Sequence, residues 1–240
     1  MNKEKNIYDD KAFYESYIEM RKTKLNANEL IEIPTIKKML PDLNGKTVLD
    51  IGCGYGGMSK YFIKKGAKKV VAIDISSNMI NLAKKINSHK DIEYLVMNME
   101  NLSQLHQKFD FVFSSLAFHY IKDYDKLIAD ISNILNKGGE LLYSQEHPIA
   151  TALINDNKHI EIDGKRYYLV SDYNNEGKRK LTWSKHGGIK YHRSLKTIIN
   201  TLIKHNLQIT QIDESNIIKN AVKKVPKYIY QKDRPYFLFI

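Results

Sequence analysis

The chain has 240 residues, of which 42% are hydrophobic and 27% are charged, so it is long enough and apolar enough for one domain with a complete core. Its single cysteine excludes an internal disulfide, no apolar run reaches the roughly 18 residues of a membrane span, and its polar first residues predict a cytoplasmic protein without a secretory signal. The formal net charge of +11 comes mostly from dispersed lysines rather than arginines, which favours a solvated basic surface over a nucleic-acid interface.

The first part of the chain, residues 1–45, is predicted to be helical. Apolar residues recur at helical spacing in "DKAFYESYIEMRKTK" and in "NELIEIPTIKKML", and Pro41 ends the second segment. In the first of these helices, Tyr14, Tyr17 and Arg21 share one face through spacings of three and four residues. This face could cover a ligand as a lid, or it could belong to an ordinary surface helix.

Between residues 46 and 144, short apolar runs alternate with amphipathic segments. The predicted buried strands are "TVLDI", "VVAIDI", "IEYLVM", "FDFVFSS" and "ELLYSQ". The predicted helices are "GMSKYFIKK", "SSNMINLAKKI" and "DYDKLIADISNILNK". Ser76 or Ser77 is expected to cap the second helix, and Gly138 with Gly139 is expected to end the third. This alternation predicts a parallel sheet with helices on both faces.

Beyond Pro148 the pattern becomes β-rich. The segment "HIEIDGKRYYLV" contains an Asp163–Gly164 turn, which is typical of a hairpin, and "NNEGKRKLTWSKHGGIKYHR" indicates a second hairpin. A helix at "SLKTIINTLIKHN" and strands at "LQITQID" and "PYFLFI" follow. The predicted fold is therefore α/β: a Rossmann-like, doubly wound, mostly parallel seven-stranded sheet with an N-terminal helical lid and a β-rich insertion before the last helix.

The loop after the first strand, "GCGYGG" at positions 52–57, satisfies the G-x-G-x-x-G pattern of a dinucleotide-binding loop. Its glycines let the backbone approach a ligand at the carboxyl end of the sheet. Asp50 stands two residues before the first glycine, where its carboxylate would repel a pyrophosphate. S-adenosylmethionine (SAM) has no phosphate and carries an ammonium and a sulfonium, so Asp50 favours SAM over NAD. Cys53 has no adjacent base in the sequence and is interpreted as a small packing residue rather than a nucleophile.

The stretch "VLDIGCGYG" resembles motif I of the class I SAM-dependent methyltransferases, D-x-G-x-G-x-G after a hydrophobic strand. The resemblance continues, in order, through "DISSNMI", "MNMENL", "FDFVFSSLAFHYI" and "LNKGGELLYSQEHPI", and covers about residues 46–148. It implies methyl transfer from SAM, with S-adenosylhomocysteine (SAH) as the product. The cofactor-binding residues that we expect are Tyr17, Arg21, Asp50, Gly52, Cys53, Gly54, Asp74, Ile75, Met79, Asn98, Met99, Glu100, Ser114 and Ser115.

The resemblance also implies roles for several of these residues. Asp74 would hold both ribose hydroxyls, and Met79 would lie against the adenine. Asn98 stands where the family has an Asp that accepts from the adenine amino group, and it keeps an acceptor oxygen. If the first helix is a lid, Arg21 would pair with the methionine carboxylate and Tyr17 would cover the site.

The two ends of the chain extend the resemblance. "NIYDDKAFYESYIEMR", "YHRSLKTIINTL" and "RPYFLF" are similar to segments of bacterial small-molecule methyltransferases related to the ubiquinone/menaquinone and tellurite-resistance-like enzymes. A single domain over 1–240 is expected, with a helical lid over 1–45, a SAM-binding core over 46–148, a substrate-cap insertion over 149–193 and the last helix and strands over 194–240.

Three polar residues are candidates for the chemistry. Glu146 and His147 follow the fifth strand, at the edge where an open α/β sheet keeps its ligand. They could supply a general base or a carboxylate that recognises a cationic substrate; alternatively, they cap the turn at Pro148. His192, between the second hairpin and the last helix, is another candidate base.

Four residues are candidate contacts of the methyl acceptor. His119 and Tyr120 follow the fourth strand; His119 could instead bond a loop carbonyl, and the ring of Tyr120 could face the sulfonium or pack in the core. Trp183 could line the acceptor pocket or pack under the hairpins. Arg193 could make a bidentate contact to an anionic substrate.

The sequence favours a metal-independent enzyme that methylates a small molecule. It lacks the N/D-P-P-Y/F motif of amino-group methylases, a catalytic cysteine outside the glycine loop, and an evident magnesium-binding cluster, although Asp123 and Asp125 keep that last possibility open. The alternatives are an RNA-modifying methyltransferase, which the charge alone suggests, a SAM-binding protein without catalysis, and an NAD dehydrogenase. We expect no membrane partner, and the sequence specifies neither the acceptor nor the oligomeric state.

Overall fold

Five parallel strands form the centre of a seven-stranded sheet in the computed structural model, which describes residues 9–154, 159–180 and 188–240. The strands in these ranges are β1 (Thr47–Ile51), β2 (Lys69–Asp74), β3 (Ile92–Val96), β4 (Phe109–Ser115), β5 (Leu135–Glu146), β6 (His159–Ile162), β7 (Lys165–Tyr168), β8 (Gly177–Lys180), β9 (Ile189–His192), β10 (Asp213–Glu214) and β11 (Phe237–Phe239). The sheet has the order β10-β11-β5-β4-β1-β2-β3, which confirms the predicted fold class.

The sheet order brings the polar ends of several strands together. Strands β1 to β5 run parallel, whereas β11 is antiparallel to both β5 and β10. The carboxyl ends of β1 to β5 therefore lie at one edge of the sheet. In sheets of this kind, ligands bind outside that edge, at the point where the strand order reverses, which here lies between β1 and β4.

The helices cover both faces of the sheet. They are α1 (Lys11–Lys22), α2 (Ile33–Met39), α3 (Gly57–Lys64), α4 (Ser77–Ile86), α5 (Tyr124–Ile134), α6 (Pro148–Thr151), α7 (Leu195–Lys204) and α8 (Lys219–Lys224). Of the two predicted caps for α4, the structure uses Ser76, whose Oγ accepts from the Met79 N–H at 3.2 Å. Among the described residues, no helix has the length and apolar character needed to cross a bilayer.

The alternation of side chains along the strands produces one core on each face. Leu49 and Ile51 belong to the cluster that contains the apolar faces of α5 and α7. Val48 points the other way, into the cluster that contains Phe62 of α3. The Phe62 ring lies edge-on to Phe113 of β4, with 5.0 Å between ring centroids. Helix α3 is thereby fixed over the face of β1 that carries Asp50.

The predicted N-terminal helices are present, and a buried carboxylate joins the second one to the sheet. A π-helical turn, Asn28–Glu32, leads directly into α2. The Glu32 side chain is fully buried and accepts hydrogen bonds from Ser115 Oγ at 2.7 Å and from Ser144 Oγ. Because Ser115 and Ser144 belong to β4 and β5, Glu32 fixes the N-terminal segment to the ligand edge of the sheet.

Both predicted hairpins lie after β5, outside the main sheet. Strands β6 and β7 pair antiparallel around the predicted Asp163–Gly164 turn, and β8 pairs antiparallel with β9. The C-terminal segment then returns through α8 and a 3₁₀ stretch, Pro226–Lys232, to β11. The register of β11 places Phe237 opposite Glu146, at the ligand edge of the sheet.

Two element predictions were wrong in detail. Helix α5 ends at Ile134, not at Gly138–Gly139, because the chain is already paired with β4 at Leu135. Gly139 serves strand packing instead: a Cβ there would lie 3.1 Å from the Phe109 carbonyl oxygen. The strand predicted over 207–213 is reduced to Asp213–Glu214, since β11 pairs with those two residues alone.

Replacement of Glu32 by alanine is predicted to destabilise the fold. The variant leaves the hydroxyls of half-buried Ser115 and buried Ser144 without their shared acceptor, which should cost about 2 kcal/mol of unfolding free energy in urea denaturation. Glu15→Ala, on an exposed face of α1, is the matched control and should change stability little. Equal stability of the two variants would show that Glu32 does not anchor the segment.

Candidate functional site

A cavity of about 2210 Å³ runs along the carboxyl ends of the parallel strands. Its walls come from the N-terminal segment, the loops after β1 to β4, both hairpins and the C-terminal segment. A pocket for one small ligand usually occupies roughly 300–1,000 Å³. The cavity therefore has room for two molecules side by side.

The glycine loop forms one wall of this cavity. Gly52 has a φ of +72°, and a Cβ there would lie 2.7 Å from the Cβ of Ala117, so no larger residue fits. A Cβ on Gly54 would meet nothing within 4 Å, so the backbone at Gly54 is open to a ligand. Cys53 lines the cavity, and burial, with the charges of Asp50 and Asp74, raises the pKa of its thiol. A neutral thiol agrees with its interpretation as a packing residue.

Asp50 lies at the floor of the site beneath the first turn of α3. Its carboxylate is 1% exposed, lines the cavity and accepts from Ser59 Oγ at 2.5 Å. Burial raises its pKa from 3.8 to about 7, with a further contribution from the nearby Asp74 and an opposing one from the Ser59 hydrogen bond. No salt bridge in the described part of the chain pairs this carboxylate with a cation, so a cationic ligand group would stabilise its charged form.

Asp74 is fixed at the end of β2 by two backbone donors. Its Oδ1 accepts from the Ser76 N–H at 2.8 Å, and its Oδ2 accepts from the Gly54 N–H at 2.9 Å. Burial raises its pKa, and these two hydrogen bonds oppose the shift. The carboxylate thus links the glycine loop to the start of α4, and both oxygens keep acceptor capacity toward the cavity.

The other residues expected near an adenosine line the same part of the cavity. They are Ile75, Met79, Asn98, Met99 and Glu100. Ile75 is 46% exposed, whereas the Met79 side chain is buried. Asn98 caps the 3₁₀ turn that follows β3, because its Oδ1 accepts from the Glu100 N–H at 3.0 Å.

The two serines at the end of β4 have different environments. Ser115 lines the cavity and donates to Glu32. Ser114 is fully buried, donates to the Ile51 carbonyl at 2.9 Å and does not line the cavity. The expectation that Ser114 contacts the cofactor is therefore not supported, since its strand position turns it towards β1.

Three expected contacts lie outside the described residues. Trp183 falls in the gap 181–187. The backbone positions of Tyr17 and Arg21 belong to α1, but the structure does not describe their side chains. Their assigned roles stay predictions.

Comparison with known proteins identifies the family. Residues 49–143 match the model of a methyltransferase domain. A crystal structure of a SAM-dependent methyltransferase from Mesorhizobium loti superposes with a TM-score of 0.80 at 30% identity, covering 89% of this chain and 96% of that one. The chain belongs to the SAM-dependent methyltransferases. SAM is accordingly its methyl donor.

Two further relatives show how far this similarity extends. A Haemophilus influenzae protein of uncharacterised function is 37% identical over 224 residues, which cover 89% of this methyltransferase and 87% of that protein. A ubiquinone biosynthesis O-methyltransferase from Coxiella burnetii is 32% identical over 104 residues, covering 42% of this chain and 44% of that enzyme. Similarity to the Coxiella enzyme thus spans less than half of either protein.

The described residues of the methyltransferase fit the chemistry of SAM. The cofactor carries an ammonium and a sulfonium, and the loop region offers the buried carboxylates of Asp50 and Asp74. The opening at Gly54 leaves space for a ligand against the backbone. A pyrophosphate would meet two buried carboxylates there, so the geometry suits SAM rather than a dinucleotide.

The structure does not place two of the candidate bases in the cavity of the methyltransferase. The Nδ1 of His147 accepts from the Ile149 N–H at 3.1 Å, and its Nε2 contacts Glu214 Oε1 at 2.7 Å. The Nε2 of His192 donates to the Tyr173 carbonyl at 2.9 Å, and its Nδ1 lies 2.8 Å from Thr151 Oγ1. Both rings are buried with both nitrogens in use, so their positions support structural roles.

Arg193 also lies behind the cavity wall rather than in it. Its guanidinium donates to the carbonyls of Phe118, Ile121 and Lys122, the last at 3.1 Å. These bonds fix the loop that carries His119 and Tyr120, both of which do line the cavity. The expected substrate contact of Arg193 is therefore not supported.

The remaining candidate, Glu146, faces the cavity beside residues that the sequence analysis missed. Its carboxylate forms an ion pair with Lys190 of β9, which is 6% exposed. Its backbone N–H donates to His119 Nδ1 at 3.5 Å, and burial lowers the pKa of His119 to about 4. Arg234 adds a second positive charge to this end of the cavity. The pairing of Lys190 with Glu146 joins residues 44 apart, which no local sequence pattern reveals.

Asp50→Asn is predicted to stabilise the ligand-free enzyme at high pH. Since burial raises the pKa of Asp50 to about 7, the folded state binds its proton more tightly, and wild-type stability falls as pH rises from about 4 to 7. The variant should therefore be more stable than the wild type at pH 8, by on the order of 3 kcal/mol, with the difference vanishing near pH 4.

Urea unfolding at several pH values measures this difference. Asp163→Asn, in the exposed turn of the first hairpin, is the matched control and should show no such pH dependence. A stability difference for Asp50→Asn that is constant across the pH range would contradict the burial of an ionisable carboxylate.

Proposed function

We propose that this methyltransferase transfers a methyl group from SAM to a small-molecule acceptor bound in the same cavity, under the two hairpins. The observation that carries the proposal is the extension of the cavity beyond the glycine loop to β7, β9 and the C-terminal segment. The Coxiella relative is named as an O-methyltransferase of ubiquinone biosynthesis, which supports a small acceptor. The RNA-modifying alternative rests on the net charge of +11 alone.

The cofactor is proposed to lie along the glycine loop and β2. Asp74 would accept from the ribose hydroxyls, and Asp50 would face the cationic part of the methionine moiety. Ile75 and Met79 supply apolar contact for the adenine, beside the Asn98 amide. Tyr17 and Arg21 are proposed to cover the bound cofactor. The position of α1, before the π-helical turn, allows this arrangement.

The bound cofactor supplies an electrophilic methyl group on its sulfonium. The chain's own contribution is to hold the acceptor atom in line with that group and to exclude water. Glu146 is the candidate group for accepting a hydrogen bond or proton from the acceptor, because its carboxylate is fixed by the ion pair with Lys190 and the cavity reaches it.

His119 is proposed to act as a neutral hydrogen-bond donor rather than a base. Burial lowers its pKa to about 4, so the ring is uncharged at neutral pH. Its Nδ1 accepts from the Glu146 N–H, which leaves the proton on Nε2. A ring in this state can orient an acceptor but binds a proton weakly.

Three further parts of the proposal concern the whole enzyme. Residues 1–45 are proposed to act as a lid and residues 149–193 as a substrate cap, because both segments contribute walls to the cavity. The reaction is proposed to be independent of metal ions. Turnover that survives treatment with EDTA would support this last point, and turnover that is restored only by a divalent cation would overturn it.

Asp74→Ala is predicted to abolish cofactor binding, since it removes the carboxylate proposed to hold the ribose. Titration calorimetry with SAH should give micromolar affinity for the wild type and at least about a hundredfold weaker binding for the variant. Glu93→Gln, an exposed carboxylate on the neighbouring β3, is the matched control and should bind SAH normally. Binding of NADH in place of SAH would contradict the assignment of the loop.

Glu146→Gln and His147→Asn are predicted to separate the two neighbouring candidates. Glu146→Gln should lower kcat/KM by about 10² or more with near-normal SAH affinity, because it removes the proposed proton acceptor. His147→Asn should lower the melting temperature but retain turnover, because its ring holds the start of α6 and Glu214.

Labelled SAM, presented with a small-molecule panel and separately with total RNA, provides the assay. Label transfer to RNA alone would favour the RNA-modifying alternative. SAH binding without transfer to either would favour a non-catalytic SAM-binding protein. If His147→Asn instead lowers kcat/KM and Glu146→Gln retains turnover, His147 rather than Glu146 would be the candidate base.

A further inference from the structure

Charge is distributed unevenly around the cavity. Among the described lining residues, five carboxylates surround the glycine loop and the N-terminal segment, which also contributes one lysine, Lys37: the carboxylates are Asp9, Glu29, Asp50, Asp74 and Glu100. The hairpins and the C-terminal segment instead contribute cations: Arg166, Lys190, Lys227 and Arg234. The acidic part matches a cofactor that carries a sulfonium and an ammonium. The basic part lies where the acceptor is proposed to bind.

Arg234 is held in place by the register of the C-terminal strand. Strand β11 sets Phe237 opposite Glu146, and Ser215 Oγ accepts from the N–H groups of Tyr236 at 2.7 Å and Phe237 at 3.1 Å. Arg234 lies three residues before Phe237, is 8% exposed and lines the cavity. A buried cation is thereby brought within electrostatic range of Glu146.

Among the described residues, no carboxylate forms a salt bridge with the guanidinium of Arg234. Its plane stacks on the Tyr168 ring of β7, 4.3 Å from the centroid, and its Nε and Nη1 are buried without a hydrogen-bond partner in the described residues. Burial lowers its pKa, with opposing contributions from Tyr168, Tyr236 and Glu146. Buried arginine donors are normally paired, so this arrangement lacks an acceptor.

Among the described cations of this part of the cavity, one buried positive charge is left without a carboxylate partner. Glu146 neutralises Lys190 through their ion pair, and His119 is neutral at physiological pH. Arg166 of β7 donates to Glu161 through Nη2 at 3.0 Å, so a carboxylate compensates its charge, although its Nε is also buried without a partner in the described residues. Lys227 is exposed to solvent. Arg234 is therefore the buried cation that lacks a carboxylate partner among the described residues of this group, and one negative charge on a ligand would balance it.

We infer that Arg234, assisted by Lys190, binds an anionic group of the methyl acceptor, so that the substrate class is a small molecule bearing a carboxylate or a phosphate. This inference rests on the proposed function and specifies its substrate. The planar guanidinium matches a two-oxygen acceptor, and the Tyr168 ring stacks on it. Arg193, the arginine that the sequence suggested for this role, is occupied by backbone carbonyls.

The test measures binding without turnover. Wild-type enzyme saturated with SAH is titrated in a phosphate-free buffer with benzoate, octanoate and phenyl phosphate, each matched with its neutral analogue: benzyl alcohol, octanol and phenol. The same titrations are made with Arg234→Gln, Arg234→Lys and the control Lys137→Gln, which removes an exposed charge at the opposite end of β5. The affinity for SAH itself is measured for every variant.

The expected result is anion binding that exceeds binding of the matched alcohol, weakened about tenfold or more by Arg234→Gln, partly kept by Arg234→Lys and unchanged by Lys137→Gln. Comparison of benzoate with phenyl phosphate distinguishes a carboxylate from a phosphate. Equal binding of anions and alcohols, no binding of any anion, or equal anion affinity in wild type and Arg234→Gln would overturn the inference.

The outcomes also separate this inference from the proposed function. If anion binding depends on Arg234 but no small molecule is methylated, the anion site is supported and the proposed small-molecule methyl transfer is overturned. If only neutral small molecules are methylated, the proposed small-molecule methyl transfer is supported and the anion site at Arg234 is overturned. Should Arg234→Gln lose SAH binding through misfolding, Lys190→Gln takes its place and must show the same selective loss of anion affinity.

Discussion

The burial of Asp50 beneath the glycine loop is the constraint on which ligand choice in this enzyme depends. The carboxylate lies on the side of β1 that α3 covers, and Phe62 fixes α3 there against β4. With Ser59 as its hydrogen-bond donor and Asp74 close by, it gains most from a cation in the cavity. The same loop sequence without Asp50 would suit a pyrophosphate, so one buried charge decides between two classes of cofactor.

The rest of the cavity extends this electrostatic division. Carboxylates surround the region that suits a cationic cofactor, and lysines and arginines from the hairpins and the C-terminal segment surround the other. Glu146 lies at the boundary, paired with Lys190. A methyl acceptor would therefore enter a site whose charge is opposite to that of the cofactor site, a few side chains away.

The core of the fold was predictable because its determinants are local. Apolar runs, helical spacing and turn residues define β1 to β4 and helices α3 to α5 to within a few residues, and Ser76 caps α4 as one of two candidates. Errors fall where a partner strand decides the outcome. Leu135 is extended because it pairs with β4. Most of 207–213 is not a strand, because β11 pairs only with Asp213 and Glu214.

The sequence by itself determined the fold class, the cofactor and the carboxylates that line the cavity at the glycine loop, because these residues lie at strand ends at fixed local spacing. Only the tertiary structure decided which polar residues near the acceptor face the cavity. His147, His192 and Arg193 hold backbone groups and neighbouring side chains. Lys190 instead pairs with Glu146 across 44 residues of chain, and Arg234, 88 residues after Glu146, lines the same cavity. Strand register and helix packing set these contacts, and no pattern within a short segment encodes them.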